Sequence, residues 1–263
     1  MSEIIKQQVG IVVPTLGERE EFLYKTLLSI KLAGDAYVIL IHPKSFLVPK
    51  EILALCDNNV VENSPGLPLA INQGIASLPE ECIYVNWLGD DDLLAPNSLS
   101  KSRLILETNL SASFIFGNCQ YIDEKDHKLG INKMGKLALF LIKCGPDLIP
   151  QPGALIRRSS YIQVGGVSSE YKYAFDQDLF LKLLKVGEAI HLNTMVSSFR
   201  WHSESLSVSQ RRNAVQEASV IRVRNFGKLG RVFGIFSEPL VRFATLNSAA
   251  LVNFKAKSLK QIN

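Results

Sequence analysis

Cysteine is scarce in this chain of 263 residues: Cys56, Cys82, Cys119 and Cys144 stand singly, with no C-x-x-C pair and no histidine beside any of them. That excludes a disulfide framework and a thiolate zinc site, leaving buried, reduced thiols as the expectation. Long hydrophobic runs are also missing. Apolar stretches such as Ala36 to Ile41 are short against the ~20 residues that cross a bilayer. Met1-Ser2-Glu3 has neither the charged nor the apolar region of a secretory signal, so a cytoplasmic location is expected. Internal repeats and low-complexity linkers are absent. With 47% hydrophobic and 21% charged residues the chain is too apolar for a disordered protein. At about 150 residues per domain it has room for one or two domains with a sizeable core.

Neither sign of charge dominates the whole, with 29 Lys+Arg against 25 Asp+Glu and a net +4, but the charge is unevenly placed. Residues 222–263 hold eight basic side chains and one acid, Glu238, a local +7; residues 1–221 keep 21 basic and 24 acidic groups, a local −3. The expected organisation is one α/β domain over 1–221 and a basic, amphipathic, helical extension over 222–263. Arg242, Asn247 and Ser248 interrupt the extension's apolar residues, which argues against a membrane span. Two readings stay open: an interfacial segment on an anionic membrane surface, or a helix packed on the domain. Nucleic acid is not an expected partner, since the body is acidic and carries no recognition motif.

Hydrophobic patterning alternates between strands and helices. Val9 to Val13, Ala36 to Ile41, Val60-Val61 and Cys82 to Leu88 read as buried strands. Glu18 to Ala33, Pro49 to Cys56 and Gly66 to Leu78 read as the helices between them. Pro96 to Glu107 reads as a helix and Ser113 to Ile122 as a strand, whereas Lys125 to Lys136, polar and containing glycine, reads as a loop. Strand Ala154 to Arg157, a short helix near Tyr161, a Gly165-Gly166 turn, helix Phe175 to Lys185 and strand Ala189 to Phe199 complete the body. The pattern predicts a mostly parallel central sheet covered by helices on both faces.

Trp87-Leu88-Gly89-Asp90-Asp91-Asp92 is the most informative stretch. Three adjacent carboxylates at the end of an apolar strand repel one another unless a cation or hydrogen-bond donors neutralise them. A divalent, oxygen-loving cation, Mg²⁺ or Mn²⁺, takes one or two such carboxylates and completes its shell with water and phosphate oxygens. The carboxyl end of a strand in an open α/β sheet is also where ligands bind.

Five segments, in order, resemble the family-2 glycosyltransferases, inverting enzymes of the GT-A fold. Val9-Gly10-Ile11-Val12-Val13-Pro14-Thr15 looks like the first strand and its nucleotide-contacting end. Gly66 to Ile75 is similar to a G-x-x-x-A-x-N-x-G-I helix. Gly89-Asp90-Asp91-Asp92 with Leu94-Ala95-Pro96 resembles the D-x-D region. Tyr173 to Lys182 looks like the segment carrying the catalytic base, and Phe199 to Ser207 resembles an R-x-H-x-x-S-x-S ending. The resemblance departs in two places: strand two ends Ile41-His42-Pro43-Lys44 rather than in aspartates, and Gly89 replaces the first D-x-D aspartate.

The resemblance implies a nucleotide-diphosphate sugar donor contacted by Pro14, Thr15, Glu18, Asn72, Asp90, Asp91, Asp92, Gln151 and Arg200. It implies a cation, Mn²⁺ or Mg²⁺, on Asp91 with His202, and Asp176 as the base that deprotonates the acceptor hydroxyl, with Asp178 the competing candidate. Arg157-Arg158 are candidates for an acceptor phosphate or a solvated basic pair, and Trp87 and Trp201 for stacking on sugar rings or packing. The acceptor would be a glycan or polyprenyl-linked molecule in bacterial surface-polysaccharide synthesis, with the enzyme peripheral on the inner membrane face. Two other classes remain: a non-catalytic nucleotide-sugar-binding or scaffolding protein, and a sugar-1-phosphate nucleotidyltransferase. The latter wants a Gly- and Arg-rich first loop, where Leu16-Gly17-Glu18-Arg19 supplies one of each.

Overall fold

The computed structural model of the chain describes residues 8–144, 147–201, 210, 213–226 and 232. Its strands are β1 (Val9–Pro14), β2 (Tyr37–His42), β3 (Asn58–Val61), β4 (Tyr84–Trp87), β5 (Leu93–Leu94), β6 (Ala112–Ile122), β7 (Lys128–Asn132), β8 (Leu155–Arg157) and β9 (Glu188–Arg200). The helices are α1 (Glu20–Ala33), α2 (Lys50–Leu53), α3 (Leu67–Ala76), α4 (Ser98–Thr108), α5 (Gly135–Cys144), α6 (Arg158–Gln163) and α7 (Phe175–Val186). We label residues 213–226 α8.

The strands form one sheet in the order β3-β2-β1-β4-β8-β6-β9-β5, with β7 paired to β6. Alternate residues of the central strands feed opposite faces, as the period of two demands. Val12, Ile39 and Ile41 enter a core with Ile71, Ile142, Phe180 and Ile221, while Ile11, Val13, Val38 and Leu40 meet Leu23, Leu27, Ile30 and Leu99 on the other side. In α1 the buried Leu23, Leu27 and Ile30 sit three or four apart, so one stripe faces the sheet.

The fold class agrees with the α/β expectation, but the sheet is mixed rather than mostly parallel. Four pairings are parallel (β1–β2, β1–β4, β2–β3, β6–β9) and four antiparallel (β4–β8, β6–β8, β6–β7, β5–β9). Buried strands of either sense read as the same apolar run, because direction is set by the connection and not by composition.

The expected loop at 125–136 is instead a turn, strand β7 and the start of α5. Asp123 accepts the backbone N–H groups of Lys125 (2.9 Å) and His127 (2.8 Å), and Asp126 takes φ +68°, which closes a hairpin from β6 into β7. β7 buries only Leu129, so its side chains carry no strong strand signal.

Helix α8 runs across positions 221 and 222, and its Ala218 and Ile221 enter the core on the α7 side. The rest of the basic extension lies outside the described residues, apart from Val232. No described helix is long and apolar enough to cross a membrane. Cys82 and Cys119 are buried and Cys56 partly so; burial pushes their thiols up to about 11, about 12 and about 12, so they stay protonated and unreactive.

Candidate active site

β1 and β4 lie side by side and parallel, with Val12 opposite Trp87, so Thr15 and the loop 89–92 emerge at the same edge of the sheet. The Thr15 hydroxyl donates to Asp90 Oδ2 at 2.6 Å and its Oγ1 accepts the Gly17 N–H at 3.0 Å. Arg19 reaches over from the loop after β1, Nη2 to Asp90 Oδ1 at 2.9 Å and Nη1 to Asp91 Oδ2 at 2.7 Å. Asp92 turns inward, and its Oδ1 accepts the Arg200 N–H at 2.9 Å. Burial, then the charge of Asp91 and that of Asp90, push the Asp92 carboxyl well above the usual range against that N–H. Gly89 sits close to the carboxylates: a Cβ there would stand 3.0 Å from Asp91 Oδ1 and 3.2 Å from Asp92 Oδ2.

The donor set suits a hard divalent cation. Asp90 and Asp91 already aim carboxylate oxygens at one shared cationic group, the Arg19 guanidinium, and one or two carboxylates are what Mg²⁺ or Mn²⁺ takes when phosphate and water complete the shell. Among the described residues no cluster of three or more His, Cys, Asp or Glu side chains stands ready for a metal. His202, the other expected ligand, lies outside the described residues.

Asp176 occupies the first turn of α7, whose Phe175 ring packs against Trp87 of β4 at 6.1 Å between centroids. That contact brings the helix start up to the strand that feeds the acidic loop. Burial raises the Asp176 carboxyl to about 6, opposed by the Gln177 N–H at Oδ1 (2.9 Å), with the charge of Glu217 adding to the rise. Asp147, in the segment after α5, faces it. Burial and the Asp176 charge push Asp147 well above the usual range; its Oδ1 accepts the Ile149 N–H at 2.9 Å, and its buried Oδ2 has no hydrogen-bond partner among the described residues. Asp178 is engaged elsewhere, pairing with Lys182 Nζ at 3.0 Å, so the two aspartates differ in their partners.

The remaining expected site residues divide between surface and scaffold. Pro14 ends β1, and Glu18 is exposed just beyond Gly17. The Asn72 side chain is spent on the turn after α6: Nδ2 donates to the Val167 carbonyl (2.7 Å), and Oδ1 accepts Tyr161 O–H (2.6 Å) and Val167 N–H (3.1 Å). Gln151 Nε2 donates to the Trp87 carbonyl at 2.8 Å and to Asn86 Oδ1 at 3.1 Å, fixing it beside the acidic loop. Arg200, expected at the donor phosphates, is fully buried. It brackets the site from behind: Nε donates to the Asp91 carbonyl (2.9 Å), Nη1 to the Asp123 carbonyl (2.7 Å), and Nη2 pairs with Asp126 (2.6 Å), with Phe22 beneath the guanidinium.

Arg157 and Arg158, candidates for an acceptor phosphate, are likewise committed to backbone carbonyls, those of Ala112 and Leu106 for Arg157 and those of Leu78 and Cys82 for Arg158. Trp87 is a core residue, and Trp201 packs edge-on against Tyr121.

Two groups that belong to the site were not anticipated. Arg19 stood in view as the lone cation of the first loop, six residues after Val13, and that position was the available signal. Asp147 gave none, being one acid between two apolar segments.

No family model matches the chain. It is 29% identical over 149 residues to an uncharacterized glycosyltransferase of Rickettsia felis, and 30% identical over 145 residues to another of Rickettsia typhi. These matches cover 53% and 52% of this chain but span only 24% and 45% of those proteins. Among solved structures, S. aureus TarS residues 1–349 in complex with UDP-GlcNAc superposes with a TM-score of 0.62 at 12% identity, over 82% of this chain and 67% of that one. The mannosyltransferase PcManGT of Pyrobaculum calidifontis, in complex with GDP-Man and Mn²⁺, gives 0.62 at 12% identity over 99% and 77%. The chain thus has the α/β, GT-A-type fold of glycosyltransferases.

Proposed function

We propose that the protein is an inverting, family-2-type glycosyltransferase that moves a sugar from a nucleotide-diphosphate donor to a hydroxyl of a glycan or polyprenyl-linked acceptor. The carrying observation is the carboxylate pair Asp90 and Asp91, aimed at one cationic group at the edge of the sheet; Asp176, a carboxyl raised to about 6, starts the helix that packs against β4, the strand feeding that loop. The uncharacterized glycosyltransferase relatives support the reaction class, and the neighbours solved with UDP-GlcNAc and with GDP-Man and Mn²⁺ support the donor class.

In this reading Asp91, with Asp90, would hold a Mn²⁺ or Mg²⁺ ion, which would supply positive charge against the departing diphosphate. Thr15 and Arg200 keep the carboxylates at the sheet edge, Thr15 through the Asp90 side chain and Arg200 through the Asp91 carbonyl and the Asp92 carboxyl. Asp176 accepts the acceptor hydroxyl's proton as that oxygen attacks the anomeric carbon and the bond to the diphosphate oxygen breaks on the opposite face, inverting the centre. A carboxyl near 6 is mostly ionised at neutral pH yet still basic enough to take the proton. We place the reaction in bacterial surface-polysaccharide synthesis, with the body through α8 as the catalytic unit and the basic extension beyond it against the cytoplasmic membrane face.

The test is transfer or donor hydrolysis by purified protein across a panel of nucleotide sugars with Mn²⁺ or Mg²⁺. Asp91→Ala is expected to lower the rate on the order of 10²–10³-fold. A protein that binds no nucleoside diphosphate with metal and turns over no donor removes the enzyme reading. Unchanged biological activity of Asp91→Ala and Asp176→Ala would favour a scaffolding role.

A further inference from the structure

Helix α8 lies against α7, anchored in the core by Ile221 and Ala218 and bonded at its far end by Asn225 Oδ1, which accepts from Lys185 Nζ at 2.6 Å. At its near end it delivers one carboxylate, Glu217, to the segment that leads into α7. Glu217 Oε1 accepts the Lys172 N–H at 3.0 Å; Oε2 accepts the Tyr173 N–H at 2.7 Å and the Ala174 N–H at 2.9 Å. Three successive backbone donors therefore converge on a single anion 43 to 45 positions away in sequence. Ala174, the last of them, is the residue at which α7 begins, and Asp176 is two residues on.

Such an arrangement does more than the neighbouring surface ion pair. Arg224 pairs with Glu170 in an exposed setting, where a pair is worth little. Glu217 makes charge-assisted bonds to backbone, which fix the course of the chain rather than the ends of two flexible side chains. An anion at a helix start also interacts favourably with the helix dipole, so the contact stabilises α7 in its present position.

We propose that Glu217 is a positioning residue for Asp176: by gathering the N–H groups of residues 172–174 it fixes the start of α7 and with it the place of the Asp176 carboxyl. This rests on the reading of Asp176 as the base. The placement also has an electrostatic consequence, because a second carboxylate close to Asp176 makes it a stronger base. The charged groups facing Asp176 are Asp147 from the segment after α5 and Glu217 from α8, while on α7 itself Asp178, two residues on, is paired with Lys182. Of these only Glu217 is held by backbone donors on the base's own segment.

The experiment uses the full chain and two variants, Glu217→Gln, which keeps the shape and loses the charge, and Glu217→Ala, which loses both. The Asp176 carboxyl is followed by carbon-13 NMR as pH is varied, its signal assigned by its loss in Asp176→Asn. In Glu217→Gln the midpoint is expected to fall by at least a few tenths of a pH unit from the wild-type value, with the fold intact. In the transfer assay Glu217→Ala is expected to lower kcat about tenfold or more with donor KM within about twofold, and Glu217→Gln to recover most of that loss. An Asp176 midpoint unmoved in Glu217→Gln, or kcat losses that follow only the loss of Tm, would overturn the proposal. Because the titration needs no turnover, a wild-type protein that transfers nothing sinks the enzymatic reading while leaving the effect of Glu217 on Asp176 measurable.

Discussion

A buried carboxyl raised above its ordinary range costs stability whenever it is ionised, and Asp176 is such a group. Its value of about 6 in the folded chain, against 3.8 ordinarily, means that the fold prefers the neutral form. Below pH 4 the group is protonated in both folded and unfolded chains and the penalty is absent. Between 4 and 6 the unfolded chain ionises first, so stability falls as pH rises; above 6 the penalty is complete and constant. Asp176→Asn is therefore expected to leave stability unchanged near pH 3.5 and to raise it at pH 8 by roughly 1–3 kcal/mol in urea unfolding, since each tenfold change in proton affinity is worth about 1.4 kcal/mol. The same substitution should cost about 10²–10⁴-fold in transfer rate. For the wild type, kcat/KM should climb through a midpoint near 6 and level off above it. A stability difference that is the same at both pH values, or an acid limb far from 6, would show that Asp176 is not held as described.

At the scale of elements, the turn between α6 and α7 shows how backbone geometry constrains the residue. Gly165 and Gly166 both take positive φ, +77° and +67°, a region costly for any residue with a Cβ. The two differ in their surroundings. A Cβ on Gly165 meets nothing within 4 Å among the described residues, whereas one on Gly166 would stand 2.5 Å from Asn72 Oδ1 and 3.0 Å from the Tyr161 ring. Gly165→Ala should thus lose only about 1 kcal/mol, the backbone cost alone, and Gly166→Ala roughly 2–4 kcal/mol, because it also displaces the Asn72 hydrogen bonds. Denaturant titration of the two variants checks the ordering; equal losses would mean that Asn72 is not the anchor of this turn.

This turn also shows what sequence can and cannot convey. The double glycine and the α3 motif with Asn72 were both visible as patterns, and the α1, α3, α4 and α7 helices follow from apolar spacing. Their mutual bonding was not visible, because Asn72 and Val167 are 95 residues apart. For the same reason Arg200 was legible as a site residue but not as a buried bracket, and Asp147 and Glu217 were illegible as partners of Asp176. β7 was missed because an edge strand that buries one side chain needs no apolar pattern.

For the molecule as a whole, the arrangement at the sheet edge determines how binding and folding are linked. Thr15 and Arg19 come from the loop after β1, Asp90 and Asp91 from the loop after β4, and Arg200 from the end of β9, so carboxylates and their braces meet only when strands far apart in sequence are aligned. The unfolded chain has no such cluster, and a ligand that needs it stabilises the native state by mass action, about 2.7 kcal/mol at a hundred times its Kd. A cation alone must compete with the Arg19 guanidinium already spanning Asp90 and Asp91, whereas a cation arriving with a diphosphate brings an anion that the freed guanidinium can pair with. The expected signature is cooperative. Mn²⁺ alone and a nucleoside diphosphate alone should each shift Tm little, and the two together by several degrees. In Asp91→Ala the joint shift should vanish. In Arg19→Ala, Mn²⁺ alone should become effective and the gain from adding the diphosphate should shrink. Equal shifts from Mn²⁺ alone in wild type and Arg19→Ala would show that the guanidinium does not hold the cation's place.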